Sequence, residues 1–241
     1  MSDSVITFTD KSGKLMALKP DVTLSIIKNT RDMPAGVQKL CYNENVYRLS
    51  DSSGSYKEIM QTGLECMGQI DTYCLCEVLS LAVQSLGAIA DDFVLDVSHL
   101  GIVSAVLDYL GVSPEGRTKL LRCIGEKNPH GAGEICKEES VTPEGERILR
   151  GLIAAYGEPK SVMASLDDLL PAELAKEERQ QLRDILSVPG DGRIRLDFSV
   201  VQNIMMLRSL ILPVKFSDFL IMSDLLNRRR LADVFMMTAN L

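Results

Sequence analysis

Apolar and polar positions divide the chain into segments of different period. Ile6 and Phe8 alternate with polar neighbours, Asp10-Lys11-Ser12-Gly13 interrupts them, and Leu15-Met16-Ala17-Leu18 returns, which predicts a β-hairpin over 6–19. Lys19-Pro20-Asp21 then opens a helix carrying Val22, Leu24, Ile26 and Ile27, and Pro34-Ala35-Gly36 breaks it. Strands are predicted over 37–48 and 58–67, flanking the polar loop at 50–55. Leu79, Ala82, Val83 and Leu86 fall at helical spacing within a helix over 76–88. A buried strand over 92–97 and a helix over 100–110, closed by Gly111, follow. Over 113–186 helical patterns alternate with breaks at Gly125, Pro129-His130-Gly131, Gly157 and Pro171. A last strand over 193–201 puts Ile194, Leu196 and Phe198 on one face. No internal repeat or low-complexity segment emerges. Strands cluster early and helices late without βαβα alternation, so the expected class is α+β with an antiparallel sheet.

Composition narrows the function classes. The 241 residues are 46% hydrophobic and 24% charged, enough for a substantial core built on Leu, Ile, Val and Met because tryptophan is absent. A formal charge of -7 and a pI near 5.0 weigh against nucleic acid as a partner. The local exception, Asn227-Arg228-Arg229-Arg230, is either a solvated helix face or a partner or nucleic-acid contact. The cysteines at 41, 66, 74, 76, 123 and 136 show no zinc-knuckle spacing, and with His99 and His130 alone beside them no metal is expected. They read as small core residues of a chain in the reducing cytoplasm. The polar start carries no signal peptide and no apolar run reads as long enough to span a bilayer, so no membrane is expected as a partner.

Three places could carry binding chemistry. In Gln61-Thr62-Gly63-Leu64-Glu65, strand alternation puts Gln61, Gly63 and Glu65 on one face. They form either a floor for a small polar ligand, with the glycine leaving room, or a solvated sheet face. Asp21 and Thr23 either cap the helix they open or point into the same cavity and bind an amine. Arg48, at a strand end, either pairs with a carboxylate or phosphate or makes a surface ion pair. Tyr42, Tyr47 and Tyr56 line the cavity or pack at its edges. His99 reads as a packed strand-to-helix residue and His130 as a turn residue. There is no nucleophilic triad, phosphate loop or nucleotide fingerprint, and no catalytic residue or resident cofactor is expected.

In order and spacing, FTDKSGKLMALKPDVT, KLCYNENVYR and EIMQTGLECMG resemble the catalytic core of class II histidyl-tRNA synthetases. They resemble still more the paralogue of that enzyme, the regulatory subunit of ATP phosphoribosyltransferase. FVLDVSHLGIVSAVLDYLGV continues the likeness, and RIRLDFSVV resumes it. The resemblance implies a class II synthetase-like antiparallel sheet with flanking helices and a helical insertion. It also implies a division into a core at 1–112, an insertion at 113–190, a core strand at 191–204 and an atypical tail at 205–241. It assigns histidine binding to Asp21, Thr23, Gln61 and Glu65, and contact with the carboxylate or a phosphate to Arg48.

The departures separate the two relatives. Ser50 stands where the synthetase carries its adenine-reading glutamate, and Asp21-Val22 replaces a Glu-Gly pair. Arg193 and Arg195 bracket the place of the catalytic arginine. Adenylation is therefore expected to be compromised and histidine binding retained. This implies a non-catalytic regulatory subunit that binds histidine as effector, assembles with the short-form catalytic subunit of ATP phosphoribosyltransferase, and mediates feedback in histidine biosynthesis. A histidyl-tRNA synthetase fragment, with ATP and tRNA as partners, is the alternative. No glycine follows Gly192, where average usage predicts about three. The expected fold is incomplete at both ends, and a truncated or frame-shifted reading of the gene is one source of such a tail.

Overall fold

A computed structural model describes residues 5–20, 22, 25–26, 37–49, 54–68, 70–187, 192–201, 216–224 and 236–240. The predicted hairpin forms from β1 (Thr7–Thr9) and β2 (Leu15–Ala17), paired antiparallel. Its turn is fixed by Asp10, whose carboxylate accepts from the Ser12 and Lys14 backbone N–H groups at 2.8 and 2.9 Å. Val22, Ser25 and Ile26 are helical, in line with the helix expected after Pro20.

β3 (Val37–Leu49) and β4 (Tyr56–Gly68) pair antiparallel along their whole length. They start a seven-stranded sheet that continues with β5 (Val94–His99), β6 (Tyr156–Gly157), β7 (Ile194–Asp197), β8 (Phe216–Asp224) and β9 (Met236–Asn240). The spatial order is β3-β4-β9-β8-β5-β7-β6. The ladder is mainly antiparallel, with parallel pairings at β4–β9 and β5–β7. β8 and β9, from the region expected as a tail, thus occupy the middle of the sheet.

One face of the sheet carries the apolar core. Cys66, Leu95, Val97, Ile194 and Leu196 are buried there with α1 (Thr72–Ile89), which contributes Leu75, Val78, Leu79, Ala82 and Leu86. α1 begins four residues before the predicted start because Asp71 caps it, accepting from the Cys74 N–H at 2.9 Å. It also corrects the expectation that no apolar run could cross a bilayer. Its 18 residues have a mean hydropathy of 1.4 and pass by length and composition, yet its inner stripe belongs to the sheet core. Cys66, Cys74, Cys123 and Cys136 are buried as expected of core thiols, whereas Cys41 is exposed. Desolvation raises the pKa of each buried thiol.

α2 (Leu100–Leu110) ends at Gly111, which takes the left-handed conformation (φ 65°) that a helix C-terminus favours. Five helices follow: α3 (Pro114–Gly125), α4 (Pro129–Glu138), α5 (Pro143–Ala154), α6 (Pro159–Leu169) and α7 (Lys176–Leu186). Pro129-His130-Gly131 opens α4 instead of breaking a helix, so His130 lies in a helix and not a turn. The reason is a short motif used three times. Ser113, Asn128 and Thr142 each precede a proline at the first helical position and a glycine two residues later. Each N-cap side chain accepts from that glycine's N–H, at 3.0, 2.9 and 3.1 Å. The chain therefore does contain a local repeat. α6 and α7 are tied by Arg179, almost fully buried, which donates to Asp167 and to the Pro171 and Ala172 carbonyls. Its neighbour Arg183 also pairs with Asp167, and together they hold that carboxyl below its ordinary pKa.

The last strand is shorter than predicted. β7 stops at Asp197, whose carboxylate accepts from the Ser199 N–H and hydroxyl and turns the chain. Phe198 leaves the strand but stays fully buried.

A candidate ligand site on the polar face of the sheet

The face of β4 opposite the core carries Gln61, Gly63 and Glu65 in alternation. Gln61 is 3% exposed and Glu65 0%. The solvated-face reading is thereby excluded for these two side chains. Their cross-strand partners on β3 are Glu44, Tyr42 and Leu40. Glu44 is engaged elsewhere, with Lys19 at 2.9 Å, while the Tyr47 N–H donates to the Lys19 carbonyl and fixes the β1–β2 hairpin at this end of the sheet.

The space above Gly63 is not open. A Cβ at position 63 would overlap the Tyr42 ring and hydroxyl, so the glycine admits an aromatic side chain of the same sheet. The expectation that it leaves room for a ligand is corrected accordingly. Of the three tyrosines considered, Tyr42 alone stands on this face. Tyr47 faces away, its hydroxyl donating to Glu58 at 2.9 Å, and Tyr56 is largely exposed. The Gln61 Oε1 is buried without a hydrogen-bond partner among the described residues. Leaving such an acceptor unsatisfied costs about 1–3 kcal/mol, which a donor on a ligand would recover.

The backbone ladder connects β4 to β5 through β9 and β8. Glu65 is level with Thr238 of β9, Thr238 with Leu220 of β8, and Leu220 with Ser98 of β5. Ser98 and Asp96 are buried, and Asp96 is paired in register with Arg195. At the end of β7, buried Asp197 accepts from Lys127 at 2.7 Å, and the same ammonium lies 4.6 Å from the Tyr156 ring centre. Asp96, Ser98 and Asp197 did not emerge as site candidates from sequence. The available signal was the polar alternation of positions 96 and 98 inside an otherwise apolar strand.

The remaining candidates divide. Asp21 and Thr23 lie outside the described residues, as do Ser50 and Arg228 to Arg230. Arg48 is placed by its backbone opposite Lys57, its side chain lying outside the description. His99 is buried at the β5–α2 junction with Nε2 2.9 Å from the Gln181 Oε1, which fits the packing role expected of it. Arg193 stacks on Phe93, 4.4 Å from the ring centre, and Arg195 donates to the Gly192 and Ile194 carbonyls. No cluster of metal-ligating side chains occurs among the described residues.

Comparison with known proteins agrees with this architecture. The family model described as histidyl-tRNA synthetase matches residues 1–207. The ATP phosphoribosyltransferase regulatory subunit of Caldanaerobacter subterraneus subsp. tengcongensis is 30% identical over 159 residues, covering 64% of this chain and 42% of that protein. The histidine–tRNA ligase of Methanococcus vannielii is 27% identical over 199 residues, covering 78% and 47%. The chain thus spans about half the length of the curated relatives it matches. Among solved structures, an ATP phosphoribosyltransferase regulatory subunit/histidyl-tRNA synthetase from Bacillus halodurans C superposes with a TM-score of 0.73 at 22% identity, over 95% of this chain and 59% of that one. The ATP phosphoribosyl transferase (HisG:HisZ) complex from Thermotoga maritima gives 0.66 at 18% identity, over 90% and 74%. These likenesses establish the class II synthetase-like fold expected from the sequence motifs. With the family model matching most of its length, the chain belongs to the histidyl-tRNA synthetase family.

Proposed function

We propose that this chain is a non-catalytic regulatory subunit of ATP phosphoribosyltransferase, binding histidine on the polar face of its sheet and lowering the activity of the catalytic subunit in response. Relatives carrying that name support the assignment. The observation that carries the ligand is Gln61 and Glu65, buried on one strand face, with the Gln61 oxygen lacking a hydrogen-bond partner among the described residues. A carboxylate and an amide oxygen suit the N–H groups of an ammonium and an imidazole. Asp21, Thr23 and Arg48 complete the site in this reading, the arginine taking the ligand carboxylate. The site is cytoplasmic chemistry with histidine as effector and the catalytic subunit as partner.

The competing reading is a synthetase fragment, favoured by relatives that are histidine–tRNA ligases. Ser50 in place of an adenine-reading glutamate and the net charge of -7 count against it. Calorimetry with histidine and then with ATP separates the two. Histidine binding without ATP binding is expected, and Gln61→Ala and Glu65→Ala should each weaken it about tenfold or more, as loss of a buried charged or amide contact does. Formation of histidyl-adenylate would overturn the regulatory reading. Unchanged affinity in both variants would remove the site.

A further inference from the structure

Tyr42 stands opposite Gly63 in the β3–β4 ladder, and its Cε1, Cζ and Oη crowd the position a Cβ on residue 63 would take. Its hydroxyl oxygen is buried. Gln61 and Glu65 flank that glycine on the same face, about 13 Å apart along the strand at the usual rise per residue. A ligand bridging both side chains would pass over the tyrosine that lies on Gly63. We infer that Tyr42 is the aromatic floor of the site and selects a ligand with a flat cationic ring. This inference rests on the histidine-binding reading and adds a residue to it.

The physical case is one of shape and charge. A tyrosine face is electron-rich and attracts a cation lying over it, and a planar ring stacks on it with more contact than an aliphatic chain. A carboxylate at Glu65 would favour the protonated form of an imidazole beside it, and the Gln61 oxygen, without a hydrogen-bond partner among the described residues, would take one of its N–H groups. A purely structural role is the competing account, because aromatic side chains fill glycine gaps in sheets for stability alone. That account predicts lost stability without a change in recognition.

The chain has six tyrosines and no tryptophan, so tyrosine emission is directly readable. Histidine is titrated into the full chain by calorimetry and by tyrosine fluorescence, for wild type, Gln61→Ala, Tyr42→Phe and Tyr42→Leu. The expected result is an emission change in wild type that disappears in Tyr42→Phe, with calorimetric affinity in that variant kept within about threefold because the ring remains. Tyr42→Leu should lose about tenfold, the scale of a desolvated cation–ring contact. Should wild type fail to bind histidine, the parent reading falls and this inference with it. Should wild type bind and Gln61→Ala weaken binding, while Tyr42→Phe keeps the emission change, the site stands and the role of Tyr42 is overturned. The Tyr42→Phe readout decides the matter even if Tyr42→Leu does not fold.

Discussion

Glycine in the interior of a strand costs roughly 0.5–1 kcal/mol relative to alanine, so Gly63 in the middle of a 13-residue strand requires a compensating contact. Tyr42 is that contact. Gly63→Ala should destabilise the chain by about 1–3 kcal/mol, the usual penalty for forcing a group into a filled space. Combined with Tyr42→Ala it should cost clearly less than the sum of the two single changes. A double-mutant cycle by urea denaturation measures this, and additive costs would mean that the two residues are not coupled. The face shared by Gln61, Gly63 and Glu65 was legible from alternation alone, because strand geometry fixes which side chains lie together. What lies above that face was not legible. The hairpin register that brings Tyr42 onto Gly63 depends on where the β3–β4 turn falls, and a shift of one residue would send Tyr42 to the other side. Burial decided between the two readings of this strand, and burial is a property of the whole fold rather than of the motif.

The elements themselves were legible where local chemistry decides them and obscure where a cap or a tertiary partner does. α2 was placed correctly because an apolar period ends in a glycine that accepts φ 65°. α1 was started late because its first turn, Thr72-Tyr73-Cys74, has little apolar period and is held by Asp71. Pro129 read as a breaker, yet it opens α4, and four of the five helices from α3 to α7 begin on a proline. Proline at the first helical position loses no hydrogen bond and presets φ, so a preceding Ser, Thr or Asn turns the breaker into a start signal. The caps differ in what else they hold. Thr142 accepts from the Gly145 N–H, and Thr142→Ala should cost about 1 kcal/mol. Ser113 caps the Gly116 N–H, and its hydroxyl also donates to Glu139 at 2.7 Å, linking the start of α3 to the end of α4. Ser113→Ala should therefore cost more than Thr142→Ala in chemical denaturation followed by circular dichroism. Equal costs would show that the bond to Glu139 contributes nothing to stability.

At the scale of the molecule, the order of strands is the least legible feature. β9 and β8 enter between β4 and β5, so segments far apart in sequence become neighbours in the ladder that joins β4 to β5. Nothing in local period predicts such pairings, since they join strands far apart in sequence. The regulation proposed above is constrained by thermodynamics whatever its route. Histidine can shift an assembly between active and inhibited forms only by binding them unequally. The effect must then be reciprocal, so substrates that favour the active form lower histidine affinity by the same factor by which histidine lowers theirs. With this chain and the catalytic subunit together, sedimentation should show co-migration. Histidine titrated by calorimetry with and without the substrates of the catalytic subunit should differ in affinity by roughly 5–150-fold, the range of ordinary allosteric couplings. Equal histidine affinity under both conditions would leave the ligand bound but unable to regulate, and the feedback role would be lost while the site survived. Failure to co-migrate would remove the partner itself. Because the chain carries a net charge of -7, association with tRNA is expected to be too weak to compete at physiological salt, and a filter-binding measurement at that salt provides the check on the enzyme alternative.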